Sequence, residues 1–423
     1  MKKRTLSLAL ALSLFPLLPT VGGAIEPTAL SVPVQQERGF IFVLKENVSP
    51  KDVAKIAKRI ASSNSTVLRR VFHIAVKAFT LDVSPGVAEQ ILQMEEQIAF
   101  IEPDFQLHAA SSAKRTSGGN TSGGRRGNND DTGGDTGGDT GGDTGGDTGG
   151  DTGGDTGGEG ESTQIIPWGV TRVGGAMNGT GLHAWVIDSG IDLDHPDLIV
   201  GEGATFTMQA CYGQPDCVNT PDDENGHGTH VAGTIAAINN NFGVVGVAAG
   251  ATVHPIKVLD YAGNTYISDI MAGLEYVAEH AVPGDVANMS IGMSTPYVST
   301  SLTTAIVNVS NQGIYFAIAA GNNGDNAALY SPSNVEHPNV FIVSGVDSQD
   351  IFIPSSNYGN PPVDFAAPSA SIPSTAMGGG VSNYGGTSSA APHVAGLLLL
   401  GQPRADGYAI NDPDGNADPI AHR

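Results

Sequence analysis

Three short stretches of this 423-residue chain carry side chains that together could cleave an acyl bond by nucleophilic attack. Asp188-Ser189-Gly190 follows the apolar run Ala184–Ile187, His227-Gly228-Thr229-His230 opens a helical segment, and Gly386-Thr387-Ser388-Ser389-Ala390-Ala391-Pro392-His393 opens another. A serine hydroxyl is a poor nucleophile until a neighbouring base takes its proton, and an imidazole base works best when a carboxylate holds its tautomer. An aspartate after a strand is, alone, as ordinary as a helix cap. One Asp, one His and one Ser, each at a strand end or helix start, are able to meet in one cleft.

The elements that must position them alternate along the C-terminal half. The runs Ala184–Ile187, Val253–Leu259, Val286–Ser290, Ile314–Ala319 and Val340–Ser344 are apolar enough to be strands covered on both faces. Helical segments at His230–Ile238, Ser268–His280, Ser301–Asn311 and Ser389–Leu400 lie between or after them. That alternation predicts an α/β fold with a doubly wound, mostly parallel sheet, whose ligands bind beyond the carboxyl ends of the strands. The N-terminal half reads differently. Phe40–Leu44, Phe72–Val83 and Ile98–Glu102 have strand character, with helices at Pro50–Ile60 and Val87–Glu95. The order predicts a small α+β, ferredoxin-like domain.

Between the halves, Asp-Thr-Gly-Gly is repeated seven times from Asp131 to Gly158 within a polar stretch of 53 residues. It has no apolar residue to bury and is expected to be a disordered linker. Charge divides there too. Residues 25–126 hold 13 basic and 10 acidic side chains, whereas residues 164–423 hold 4 basic and 23 acidic, so the halves should attract. The overall net charge of −23 argues against nucleic acid or an anionic membrane as a partner.

At the start, Lys2, Lys3 and Arg4 precede an apolar run from Leu6 to Leu18, then Gly22, Gly23 and Ala24. This is the order of a signal peptide cleaved after Ala24, and it predicts a secreted protein. No later segment is apolar enough to span a membrane. Cys211 and Cys217 are the only cysteines. In an oxidising compartment a disulfide between them is expected, since half a metal site would lack partner cysteines. The expected division is a signal peptide over 1–24, an N-terminal domain over 25–110, a linker over 111–163 and an α/β domain with the three motifs over 164–423.

From about Gln164 to Leu400 the sequence, through its three motifs, resembles the subtilases, a family of serine endopeptidases. The resemblance implies that Asp188 orients His227, that His227 is general base and then acid, and that Ser388 attacks the peptide carbonyl. Ala319-Ala320-Gly321-Asn322-Asn323-Gly324 is similar to the family's oxyanion loop, with Asn322 and the Ser388 N–H as donors. Gly263-Asn264-Thr265 and Ser290-Ile291-Gly292 resemble the edge segments that flank substrate, and Ala319, Ala320 and Gly321 would line the primary pocket. With no fixed acid evident there, a broad apolar or aromatic P1 preference is expected, and Asp325 is the residue that would spoil it. A structural calcium is implied at Gln164, Asp197, Asn240 and the carbonyls of Ile238, Phe242 and Val244, with no catalytic metal. Residues up to Phe100-Ile101-Glu102-Pro103-Asp104 resemble the family's propeptide inhibitor, which implies self-cleavage at Ala110–Ser111. The partners expected are protein or peptide substrates and the chain's own propeptide, in a monomer.

Two features depart from the family. Ser389 stands where a methionine usual to the family would offer a thioether to oxidants. The chain also ends 35 residues after Ser388, so the family's last elements should be shortened or replaced. There Asp412, Asp414, Asn416 and Asp418 alternate around Gly415 like part of a calcium loop, but without a closing glutamate the reading is a solvated tail.

Overall fold

The computed structural model describes residues 37–110, 164–207 and 220–423. The signal peptide, the repeat linker and the Cys211–Cys217 pair lie outside the described residues.

The apolar runs of the C-terminal half form one large sheet. Its spatial order is Thr252–Lys257, His183–Asp188, Val286–Met289, Tyr315–Ala319, Val340–Val346 and Val363–Pro368, all parallel. Chain order reverses beside His183–Asp188, so a crevice opens at the carboxyl end of that strand, where Asp188 stands. Two helices, His227–Ala236 and Thr387–Leu400, pack against each other at this level. Every residue of the first is buried, as are Thr387 through Leu399 of the second. Buried on all sides, both helices sit inside the fold, with their starts, His227 and Ser388, at the crevice.

The tail corrects the solvated reading. Arg404–Tyr408 and Pro419–His422 form an antiparallel pair, and the second strand joins the main sheet beside Val363–Pro368. Asp418, Ile420 and Ala421 are fully buried.

The N-terminal region is a four-stranded antiparallel sheet ordered Ile98–Ala109, Glu37–Leu44, Ala78–Leu81, Leu68–Phe72, with helices Val53–Ser63 and Pro85–Met94. Phe72–Val83, read as one stretch of strand, contains the end of one strand and the whole of the next, because the chain turns back over residues 73–77. Strand Ile98–Ala109 outruns its own sheet and pairs antiparallel with Asn264–Tyr266 and Ile291–Gly292.

Acidic side chains of this long strand meet helix starts on the other half. Asp104 accepts from the Ser268 N–H at 2.9 Å and the Ser268 hydroxyl at 2.6 Å, where helix Ile267–His280 begins. Glu102 accepts from Ser299 Oγ at 2.5 Å and the N–H of Thr300 at 3.1 Å, before helix Thr300–Ser310. Carboxylates there satisfy orphan N–H groups and oppose the positive end of the helix dipole. Arg38 and Arg70 in turn bind Asp269, at 2.8 and 2.6 Å. The attraction expected from net charge is thus focused on Asp269, with Arg38 also 3.5 Å from Asp104, while the shorter hydrogen bonds of Glu102 and Asp104 go to helix starts.

Candidate active site

Asp188 ends its strand with the carboxylate fully buried. Its Oδ1 accepts from the Ser189 N–H at 2.7 Å and lies 2.7 Å from His227 Nδ1, so that ring nitrogen carries the proton and Nε2 is left as the basic lone pair. The approach is possible because Gly228 follows: a Cβ there would stand 2.0 Å from the Gly190 carbonyl oxygen. His227 Nε2 and Ser388 Oγ are both buried and have no hydrogen-bond partner among the described residues.

Burial works against a charged His227, but the Asp188 charge and its hydrogen bond outweigh burial and raise the pKa above that of free imidazole. Two nearby histidines behave oppositely. Burial depresses His230 to about 3 and His393 to about 4, so both stay neutral and structural.

Pro392, four residues after Ser388, has no N–H to give to the Ser388 carbonyl. That carbonyl instead accepts from Ser290 Oγ at 2.9 Å, which ties the serine to the edge segment Ser290–Gly292.

The chain's own residues fill the cleft. Asn264 pairs with His108, Thr265 with Leu107, Ile291 with Ala109 and Gly292 with His108. Ala109 N–H donates to Gly263 O at 2.9 Å and Ala110 N–H to Ser290 O at 2.8 Å. The Ala110 carbonyl oxygen then accepts from Asn322 Nδ2 at 2.5 Å and from the Ser388 N–H at 3.3 Å. Asn322 is held in that orientation because its Oδ1 accepts from the Thr387 N–H at 3.0 Å. Gly386 lets Asn322 approach: its φ of 99° is left-handed and a Cβ would press on the amide at 3.0 Å.

A cavity of about 130 Å³ beside Ala110 is lined by Gly292, Met293, Ser294, Gly321, Asn322 and Asn323, without a carboxylate. Ala319 and Ala320, expected to line it, are fully buried. Both oxygens of Asp325 are engaged, by the Tyr330 hydroxyl at 3.0 Å and the Asn326 N–H at 2.7 Å.

The candidate calcium residues also come together. Gln164 Nε2 lies 2.6 Å from Ile238 O, 2.7 Å from Val244 O, 3.0 Å from Phe242 O and 3.3 Å from Asn240 Oδ1. Asp197 is buried next to them and accepts from Asn240 Nδ2 at 2.9 Å and the Val244 N–H at 3.0 Å. Among the described residues no three acidic, histidine or cysteine side chains group to hold a metal, so this cage is built from neutral oxygens and one carboxylate.

A family model described as "Subtilase family" matches residues 179–409, more than half of the chain and all three motifs. The chain belongs to the subtilase family. Subtilisin NAT of Bacillus subtilis subsp. natto is 39% identical over 247 residues, 57% of this subtilase and 62% of that relative. Subtilisin Savinase of Lederbergia lenta is 37% identical over 243 residues, covering 56% of this chain and 84% of its own. A crystal structure of a cold adapted subtilisin-like serine proteinase superposes with a TM-score of 0.53 at 31% identity, covering 62% of this chain and 98% of that one.

Two residues of this subtilase's site escaped sequence reasoning. Asp223, buried, binds Ser189 Oγ at 2.9 Å and, through its other oxygen, Thr229 Oγ1 at 2.6 Å, clamping the Asp188 loop to the start of the His227 helix. Asn357 accepts from the Asn323 N–H at 2.9 Å and donates to Ala320 O at 2.9 Å, bracing the loop that carries Asn322. An acidic residue four before the histidine was the one available signal for Asp223; Asn357 had none.

Proposed function

We propose that this subtilase is a secreted, calcium-stabilised serine endopeptidase, made as a zymogen that cuts itself after Ala110. The observation that carries the reading is the Ala110 carbonyl oxygen between Asn322 Nδ2 and the Ser388 N–H, at the end of a strand bound in antiparallel register. Those are the contacts an acyl group needs when its oxygen is about to become an anion.

In this reading Ser388 Oγ attacks the Ala110 carbonyl carbon while its proton passes to His227 Nε2. Asp188 keeps the imidazole in the required tautomer and stabilises the imidazolium. The oxyanion is held by Asn322 and the Ser388 N–H. His227 then protonates the leaving amine, the C–N bond breaks, and water releases the acyl group with His227 again as base. Residues 25–110 act as a folding aid and inhibitor, docked by Glu102, Asp104, Arg38 and Arg70 and occupying the non-primed cleft. Residues 111–163 are the connection to residues 164–423, and the first 24 direct export. The carboxylate-free pocket and the engaged Asp325 support an apolar-leaning P1 preference in protein and peptide substrates.

The Gln164 cage fits calcium by its chemistry. An amide NH₂ has two hydrogens and cannot satisfy four converging oxygens, whereas a hard divalent cation takes six to eight oxygens. With its amide turned, Gln164 Oε1 would join Asn240 Oδ1 and the carbonyls of Ile238, Phe242 and Val244, with Asp197 adding negative charge. Such an ion would supply rigidity to the cage.

The test is reaction with a serine-directed sulfonyl fluoride followed by peptide mapping, together with a peptide-library cleavage profile. One adduct on Ser388 and a profile led by apolar P1 residues are expected. A folded chain that takes no label, or a profile led by Arg and Lys, would reject the respective part of the reading.

The pH dependence has a fixed sign. The base must be neutral, and its pKa lies above that of free imidazole, so kcat/KM should fall as pH drops through a value above 6.5. Leaving of the Ala110 strand exposes the site, weakens the burial that lowers the pKa, and moves the limb the same way. Asp188→Asn should shift the limb down and reduce turnover by about 10⁴-fold. A wild-type acid limb at or below 6.5 would contradict the assignment.

A further inference from the structure

We propose that the loop Asp412–Asp418 is a second calcium site, separate from the Gln164 cage, with Asp418 as its buried anchor. Asp412, Asp414, Asn416 and Asp418 occupy alternate positions, and Gly415 takes the turn with a φ of 78°. Alternating oxygen side chains around a glycine are how a short loop wraps a hard cation. Spacing alone would not make a site, since such a loop can equally be solvated.

The decisive observation is Asp418. It has 0% exposure, at the edge of a small apolar cluster of Val346, Phe352, Ala366, Ala409 and Ile420, and it accepts from the Ala409 N–H at 2.9 Å through its carbonyl. Its Oδ2 accepts from Ser344 Oγ at 2.6 Å, but its Oδ1 has no partner among the described residues. The charges that act on it are those of Asp412, Asp414 and Asp364, all negative. Arg172, a basic side chain that reaches this hairpin at Asp406, is committed there at 3.2 Å and to Asp350 at 2.8 Å. A buried carboxylate with one oxygen unpartnered and only like charges acting on it is costly unless a cation or a proton neutralises it.

The rest of the loop can contribute ligands. Asp412 accepts from the N–H of Asp418 at 3.1 Å and Asp414 from that of Asn416 at 2.7 Å, which leaves each carboxylate further lone pairs. Asn416 Nδ2 is turned to Asn360 O at 2.9 Å, so its Oδ1 is the arm left for a ligand. The three carboxylates do not yet form a metal-holding group. Asp414 is exposed, and its carboxylate would turn inward from the Asn416 N–H to join the site. Carboxylate and amide oxygens on an adaptable loop favour calcium over magnesium, which demands a stricter octahedron, and over zinc, which prefers nitrogen and sulfur. Bound calcium would pin the hairpin Arg404–His422 to the edge of the main sheet.

The experiment uses the full chain with Ser388→Ala, stripped of divalent ions and titrated with calcium chloride, with bound ions counted by native mass spectrometry. Adding Asp414→Asn should remove one ion or weaken its binding at least about tenfold, and calcium should no longer slow hydrogen exchange over residues 404–422. Asn240→Ala, in the Gln164 cage, should remove a different ion and leave that protection intact. If only Asn240→Ala changes the count, this proposal is overturned and the cage stands; if only Asp414→Asn does, the reverse holds. Asp418→Asn separates cation from proton: an unchanged calcium count with a more protected hairpin means a protonated Asp418, and overturns the site.

Discussion

Replacing Ser388 by alanine is expected to leave the chain in one piece after export, with the N-terminal domain still joined, while the wild-type chain loses it. The Ala110 carbonyl would keep both of its donors, because one is the Asn322 side chain and the other a backbone N–H that alanine also has. Only the attacking atom is gone. Turnover of peptide substrates should fall by about 10⁶-fold, the size found for the nucleophile of subtilisin, a relative and not this chain. Docking contacts from Glu102, Asp104, Arg38 and Arg70 do not involve residue 388, so the variant should fold and stay inhibited by its own strand. Intact mass and N-terminal sequencing read the result. A new N-terminus near Ser111 in the Ser388→Ala chain, purified from a host without other proteases, would remove Ser388 from the reaction.

Asn322→Ala should be the next most damaging change, lowering kcat by about 10²–10³-fold, or ~3–4 kcal/mol, with little change in KM. The range is the one measured for an oxyanion donor in subtilisin. The physical reason is differential: a hydrogen bond to a neutral carbonyl exchanges for one to water, but a bond to a developing anion in a buried cleft does not. Here Thr387 holds the Asn322 Oδ1, so the amide pays no reorientation when charge develops. Asn322→Asp keeps the shape but swaps the donor for a charged acceptor and should be at least as damaging. Steady-state kinetics on a peptide amide substrate separate the cases. A loss confined to KM would mean that Asn322 binds substrate without stabilising the transition state.

Much of this was legible along the chain. Strands covered on both faces must be continuously apolar, so Ala184–Ile187 and Val286–Ser290 announced a parallel sheet, and the polar residues that end such runs marked the crevice. Asp188, His227 and Ser388 stood out because catalysis needs polar groups at places where packing would have chosen apolar ones. Asn322 and the Gln164 cage became readable through family resemblance; locally each is an ordinary turn sequence.

What the sequence could not show is anything that depends on a partner far along the chain. Ser290 ties down the Ser388 carbonyl from 98 residues away, Glu102 reaches Ser299 across 197, and Asp104 reaches Ser268 across 164. Asp223 and Asn357 lie outside helix and strand, and the groups they clamp are assembled only when helices and strands close on one another. Asp418 is the clearest case. Its neighbours Asp414, Asn416 and Pro419 are polar or turn-forming, so the tail read as solvated, yet pairing of Ile420 with Ala366 carries it inside the sheet edge. Periodicity records which face of an element is buried, since burial is a property each residue shares with its near neighbours. Hydrogen-bond partners and the charge a buried group must meet belong to the assembled fold, and only tertiary structure decides them.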